Sequence, residues 1–263
     1  MNNSIISTDN QNPSVDIVMP NYNKDNFLGE AINSVVNQKY KNWKLIIIDG
    51  DSKDNSKKIL KEFEKKFSNI KVIYLKKRKN TAFARNLAVR ISKAKYIAFL
   101  DSDDYWSENK LNEQIQFMEK FNYEFTYTDY VPFFLKNQKK IYKKKVITPD
   151  SFTYDKFIYN TSIATSSMII KRTTISFIKC ANIKILEDYP FKCKILKMKC
   201  SATKLNQFSM FYRITKNSLQ SNKLRNIYWL WYTNKKYNKI SFFKNIMSIF
   251  MISISSIKKY GIK

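Results

Sequence analysis

The sequence predicts an α/β fold, a mostly parallel sheet flanked by helices, with a C-terminal helical extension. Strand-like and helix-like segments alternate at short range from Val15 to Leu100, an order that builds a parallel sheet with helices on both faces. The strand segments are continuous apolar runs, as strands buried on both faces are. Two of them end in acids, at Asp49 and Asp101, and a third ends in Pro20-Asn21-Tyr22-Asn23. Polar ends gathered at one edge of such a sheet mark a ligand site.

Taken in order, Val15 to Met19 reads as a strand stopped by Pro20. Phe27 to Gln38 is amphipathic with helical spacing, Lys44 to Ile48 is an isoleucine-rich strand, and Asn55 to Phe67 is a helix. Lys71 to Leu75 is a strand and Thr81 to Ser92 a helix. Lys95 to Leu100 is the strand that ends in the acids, with a further helix starting near Ser107. After Tyr130 the pattern changes. Lys136 to Lys145 is basic and poor in apolar residues, a solvated surface excursion or hairpin. Ile163 to Ile170 alternates like a strand, Glu187 to Lys197 is helical, and Leu205 to Ile214 is a second strand candidate. No internal repeat and no Pro/Gly/Ser linker is visible, so the second half is expected to pack onto the first sheet.

The C-terminal segment is different again. Tyr228-Trp229-Leu230-Trp231-Tyr232 is an aromatic cluster flanked by Lys223, Arg225, Lys235 and Lys236. Phe243, Ile246, Met247, Phe250, Ile254 and Ile257 fall on one helical stripe, with Lys244, Asn245, Ser248, Ser255 and Lys259 largely on the other side. Such a helix either lies in an anionic membrane interface or docks on the catalytic domain, and the sequence favours neither.

Composition narrows the chemistry. The chain has 263 residues, with 48 Lys and Arg against 21 Asp and Glu. The resulting net charge of +27 implies an anionic partner: nucleic acid, an anionic membrane surface or phosphorylated substrates. The absence of histidine excludes His-based triads, ligands and general bases, which leaves acid–base work to Asp, Glu, Lys, Tyr or Cys. Cys180, Cys193 and Cys200 have no Cys-x-x-Cys spacing and no histidine to complete a zinc site. Residues 1–14 show no apolar leader, and no segment reads as a membrane span, so the cysteines are expected to be reduced thiols in a cytoplasmic protein.

The run from Lys95 to Asp104 is the most informative stretch. A buried strand ends in three carboxylates within four positions, Asp101, Asp103 and Asp104. Such charge must be solvated, paired or bound to metal. Hard divalent cations prefer carboxylate oxygen, and Mg²⁺ commonly binds one or two carboxylates together with substrate phosphates. The bland alternative is a solvated turn before the next helix.

Six segments in order resemble a family 2 glycosyltransferase with the GT-A fold, of the bacterial surface-polysaccharide type. They are Val18-Met19-Pro20-Asn21-Tyr22-Asn23, Ile48 to Asp54, Ala84-Arg85-Asn86, Phe99 to Asp104, Leu186-Glu187-Asp188, and Tyr212-Arg213 through Ser218. The resemblance implies an inverting enzyme that moves a sugar from a nucleotide-diphosphate donor, UDP-linked by expectation, to a hydroxyl of a glycan or lipid-linked acceptor. It places Pro20, Asn21, Tyr22 and Asp49 at the nucleotide base, Arg85 near the nucleotide, and Asp101 and Ser102 near the ribose. Asp103 would ligate Mn²⁺ or Mg²⁺, and Asp188 would be the general base beside Glu187, a nucleotide-sugar-binding residue. Arg213 or Lys216 would meet the diphosphate, unless Tyr212 and Arg213 are instead a structural strand end.

Three positions depart from the family pattern. Asn80 stands where a glycine is usual, and asparagine tolerates positive φ. Asp49-Gly50-Asp51 reorders the commoner Asp-Asp-Gly, which leaves Asp51 without an assigned role. Thr215 replaces a frequent histidine after Tyr212-Arg213. Expected boundaries are a polar tail at 1–14, a catalytic domain at 15–221 divided near 130 into donor and acceptor halves, and the basic aromatic segment 222–263. Two rival readings follow from charge and from the α/β pattern: a nucleic-acid-binding protein, for which no recognition motif is visible, and a sugar nucleotidyltransferase, for which Asn21-Tyr22-Asn23-Lys24 lacks the glycine-rich phosphate loop. The reading expects no nucleic-acid partner and a cytoplasmic protein, peripheral on the inner membrane face if the tail binds lipid.

Overall fold

The structure is a computed structural model that describes residues 13–183, 185–198, 200–215 and 223–260. In chain order the elements are β1 (Val15–Asn21), α1 (Asp25–Val36), β2 (Trp43–Asp49), α2 (Ser56–Lys66), β3 (Ile70–Tyr74), α3 (Thr81–Ile91) and β4 (Tyr96–Phe99). Then come β5 (Tyr105–Trp106), α4 (Lys110–Phe121), β6 (Phe125–Lys136), β7 (Lys139–Tyr142), β8 (Ser151–Phe152), α5 (Tyr154–Phe157), β9 (Ile169–Lys171) and α6 (Arg172–Ile175). The chain finishes with α7 (Asp188–Lys197), β10 (Ala202–Arg213), α8 (Lys223–Thr233) and α9 (Phe242–Tyr260).

The described strands form one sheet in the order β3-β2-β1-β4-β9-β6-β10-β5, with β7 on β6 and β8 on β10. β3, β2, β1 and β4 are mutually parallel. β9 runs antiparallel to both β4 and β6, and β10 is parallel to β6. β6 and β10 therefore point the same way as β1 and β4. All six long or central strands end at one edge, where the conserved direction of a parallel sheet gathers ligand-binding groups.

Alternation along the strands splits the core in two. Val18, Ile46 and Ile48 face the side covered by α3 and α7, while Ile17, Met19, Leu45 and Ile47 face α1, α2 and α4. All seven are essentially buried, and each contributes roughly 1.5–3 kcal/mol relative to exposure. With both faces covered, a polar side chain inside a central strand must be paired, as Asp16 of β1 is by Ser92, Lys93 and Ala94.

Several expectations need adjustment. β1 continues through Pro20 to Asn21, because pairing with β4 stops at Val18 and the missing N–H of proline costs no ladder bond there. The second half both packs onto the sheet, through α7, and extends it with β6, β9 and β10. Residues 163–170 are a strand only from Ile169, preceded by a 3₁₀ turn at Thr165–Ser167. The helix placed near Ser107 starts at Lys110, after the two residues of β5 pair with β10. The Lys136–Lys145 segment is indeed a hairpin, β6 to β7. Asn80 has φ −78°, not positive; its side chain caps α3 by accepting from the Phe83 N–H at 3.0 Å.

Candidate active site

β1 and β2 end side by side, with Asn21 opposite Asp49. The Asn21 amide donates to Asp49 at 2.9 Å, and Ser52 donates to the same carboxylate through both its backbone N–H and its hydroxyl. Asn21 and Asp49 are buried, and the Asn21 side-chain oxygen Oδ1 has no hydrogen-bond partner, whereas its backbone carbonyl accepts from the Gly50 N–H. An unpaired buried acceptor at a strand end is a vacancy in the hydrogen-bond inventory that a ligand N–H can fill. Pro20 is buried beside it, and the Tyr22 ring lies 4.4 Å from the Arg78 guanidinium carbon. Asp51, at φ +68°, pairs with Lys53 and Lys57 on the surface.

At the end of β4 each acid has its own partner. Asp101 pairs with Arg85 at 2.6 Å, and the same guanidinium reaches Glu187 at 2.7 Å. Arg85 is buried, so it bridges α3, β4 and the start of α7 in low dielectric, where such pairs act strongly on orientation. Asp103 pairs with Lys24 at 2.6 Å. Asp104 is buried and accepts from the Ser166 hydroxyl and the Arg213 N–H. Burial, with repulsion from Asp103 and Asp101, pushes its carboxyl well above the usual range. Ser102 between them is buried.

Asp188 opens α7 and keeps a quarter of its side chain exposed, paired with Lys192 at 2.6 Å. Thr165 donates to it at 2.8 Å. Burial raises the carboxyl, but Lys192 and then Arg85 overcome that and hold it below the usual carboxylate range. Burial raises its neighbour Glu187 despite the pull of Arg85. The 3₁₀ turn joins the two acidic groups: Thr165 serves Asp188, while Ser166 accepts from the Asp101 N–H and donates to Asp104. Leu186, just before the pair, sits at φ +60°, an uncommon conformation for leucine that turns the chain into α7.

Arg213 at the end of β10 is buried between the rings of Phe27 and Phe133, each 4.5 Å away. It donates to the Asp103 carbonyl at 2.7 Å and pairs with Glu30 of α1. That guanidinium is committed to holding the edge together, which leaves no free face for a diphosphate. Lys216 lies outside the described residues.

A sequence model described as glycosyl transferase family 2 matches residues 16–180. The chain belongs to that family. It is 30% identical over 250 residues to the putative teichuronic acid biosynthesis glycosyltransferase TuaG of Bacillus subtilis, covering 95% of this chain and 98% of that one. It is 35% identical over 218 residues to an Escherichia coli protein described as UDP-Glc:alpha-D-GlcNAc-diphosphoundecaprenol beta-1,3-glucosyltransferase WfgD, covering 82% and 83%. Among solved structures, S. aureus TarS 1–349 in complex with UDP-GlcNAc superposes with a TM-score of 0.68 at 15% identity, covering 93% of this chain and 73% of that one. The mannosyltransferase PcManGT from Pyrobaculum calidifontis, in complex with GDP-Man and Mn²⁺, gives 0.68 at 13% identity, covering 97% and 77%. The chain spans 61% of the TarS 1–349 chain solved with UDP. These likenesses show the GT-A fold.

The candidate site thus gathers Asn21, Asp49, Arg85, Asp101, Asp103, Glu187 and Asp188 along one sheet edge. Among the described residues no three His, Cys, Asp or Glu side chains cluster as a metal cage. A single hard carboxylate, Asp103, suits a divalent ion that takes the rest of its oxygen ligands from phosphate and water. Sequence reasoning missed Lys24, Arg78, Thr165, Ser166 and Lys192. Lys24 directly follows the Asn21-Tyr22-Asn23 segment, and that adjacency was its only signal.

Proposed function

We propose that this glycosyltransferase moves a sugar from a UDP-sugar to a hydroxyl of a lipid-linked glycan in surface-polysaccharide assembly, inverting the anomeric carbon, on the cytoplasmic side. The relatives named above support the donor and acceptor classes. The observation that carries the mechanism is Asp188, an exposed-tipped carboxylate held ionised at the N-terminus of α7, beside an acidic strand end in a chain without histidine.

The acceptor hydroxyl forms a new C–O bond at the anomeric carbon as the bond to the diphosphate breaks and its electron pair leaves with the nucleotide. The hydroxyl proton passes to Asp188. Asp188 accepts it from a state that Lys192 and Thr165 orient, and Lys192 must loosen as the charge is neutralised. Asn21 and Asp49 hold the base end, with the unpaired Asn21 side-chain oxygen Oδ1 as the acceptor for a base N–H. Arg85 fixes Asp101 and Glu187 so that neither drifts toward the leaving group. Asp103 would hold Mn²⁺ or Mg²⁺, and such an ion when bound supplies charge neutralisation for the departing diphosphate.

A thermal-shift panel of UDP-, GDP- and CMP-sugars with Mn²⁺ tests the donor, since a ligand bound only by the native state raises its stability. UDP-sugars are expected to raise the melting temperature most. A chain that no nucleotide sugar stabilises would overturn the reading.

A further inference from the structure

The α8–α9 segment seats on the protein through Leu230, Ile249 and Ile252 together with a buried polar cluster. Asn234, Asn245 and Ser248 are buried, and every one of them is paired. The Asn234 amide donates to Asn245 at 2.9 Å and to Ser248 at 3.1 Å, and the Ser248 hydroxyl donates to the Ile158 carbonyl at 2.5 Å. Tyr189, next to Asp188, donates its hydroxyl to Asn234 at 2.8 Å.

The apolar stripe faces outward. Phe243 is 82% exposed, Phe250 60% and Met247 54%, and on α8 Leu224 is 80% and Tyr228 61% exposed. Trp231 and Phe242 meet edge to face at 5.5 Å, joining the two helices. Residues 223–260 also hold eight Lys and Arg and no Asp or Glu. A soluble monomer rarely displays such a contiguous apolar face.

We propose that α8 and α9 form a docking surface for an anionic lipid bilayer, seated on the catalytic domain by those apolar and polar side chains and presenting aromatic and aliphatic residues within a rim of cations. The occupant follows from charge. A second copy would bring two rims of net positive charge into contact, with Asp155 beside Lys244 offsetting one cation of the eight, whereas anionic headgroups neutralise them. Aromatic and aliphatic side chains on a cationic helix are the composition that settles at the headgroup boundary. No described helix is long and apolar enough to cross a membrane, so the contact is one-sided. The Tyr189–Asn234 bond then fixes the helix that carries Asp188 relative to the bilayer plane. The surface would bring the enzyme to the lipid-linked acceptor proposed above, but it stands on its exposure and charge alone.

The test is flotation of the full chain with vesicles of phosphatidylcholine, with and without phosphatidylglycerol. The chain is expected to float only with phosphatidylglycerol present and to be partly released by salt. The double variant Phe243→Ser/Phe250→Ser is expected to stay unbound with an unchanged melting temperature, because both rings are exposed. Absence of flotation at low salt, or flotation of the double variant equal to the parent, overturns the proposal. So does a parent dimer that the double variant splits while neither binds vesicles, which would identify a second copy as the occupant. Flotation reads lipid contact alone. A chain that floats but transfers no sugar supports the docking surface and sinks the transfer reading, and transfer to a short-chain soluble acceptor without flotation does the reverse.

Discussion

The Lys24 ammonium stands 2.6 Å from the Asp103 carboxylate, joining the start of α1 to the carboxyl end of β4. Both side chains remain partly exposed, so the pair is exchangeable. A divalent cation that takes Asp103 must displace this tethered one. Lys24→Met is therefore expected to tighten Mn²⁺ binding without nucleotide by roughly two- to fivefold, the worth of an exposed pair. Calorimetric titration of the metal alone measures it. Unchanged or weaker affinity would show that Asp103 and Lys24 do not compete for the ion.

Asp188→Asn keeps the shape of the side chain and removes its proton affinity. Turnover is expected to fall by about 10²–10⁴ while UDP-sugar affinity stays within a few fold. Steady-state transfer assays with a separate binding measurement distinguish the two effects. Normal turnover in the variant would make Asp188 a structural acid paired to Lys192.

Asp104 gives a pH dependence of defined sign. Its folded pKa lies above the ordinary carboxylate value, so the folded state holds the proton more tightly and stability falls as pH rises from about 4. Asp188 runs the other way, stabilising above the ordinary carboxylate range and losing that contribution in acid. Asp104→Asn can still accept from the Arg213 N–H and can donate to the Ser166 hydroxyl. Its melting temperature is expected to gain on the parent as pH rises from about 4 toward 8. Parallel curves for the two proteins would contradict the assignment.

Lys110 is fully buried on α4, with its amine over the Trp106 ring at 4.1 Å and no hydrogen-bond partner. Burial pushes its pKa well below the usual lysine value. Lys110→Met fills a similar volume without an unsatisfied donor and is expected to stabilise by about 1–2 kcal/mol. For a chain of this size that corresponds to a melting point several degrees higher, on the order of 3–6 °C. A lower melting point would show that the indole face more than compensates the amine.

The first half of the fold was legible because its strands are buried on both faces. Continuous apolar runs such as Leu45–Ile48 admit little else, and their polar ends gave the nucleotide edge. The second half was harder to read for a physical reason. β6 passes from the buried Phe125 to the exposed Lys136 within one strand, so neither alternation nor a continuous apolar run describes it. The boundary expected at 130 falls inside that strand. The 163–167 segment alternates like a strand, yet its Thr165 and Ser166 are spent on Asp188, Asp101 and Asp104, contacts far away in sequence. Arg213 read either as a substitute for the family's histidine at the diphosphate or as a structural strand end; only packing shows Phe27, Phe133 and Glu30 around it. The stripe on α9 was visible as a pattern, but which side it turned outward was not.

β6 borders β9 over only two residues and β10 over most of its length. During synthesis, then, the edge from Tyr127 to Phe133 waits for residues 202–213 before it is paired. Closing a parallel pair across so long an intervening stretch is entropically slow and leaves an apolar edge open to association meanwhile. A nascent chain halted before residue 202 would carry that edge exposed, without the Arg213 contact that draws Asp103 and α1 together. For this chain, completing the catalytic edge and completing the fold are one event.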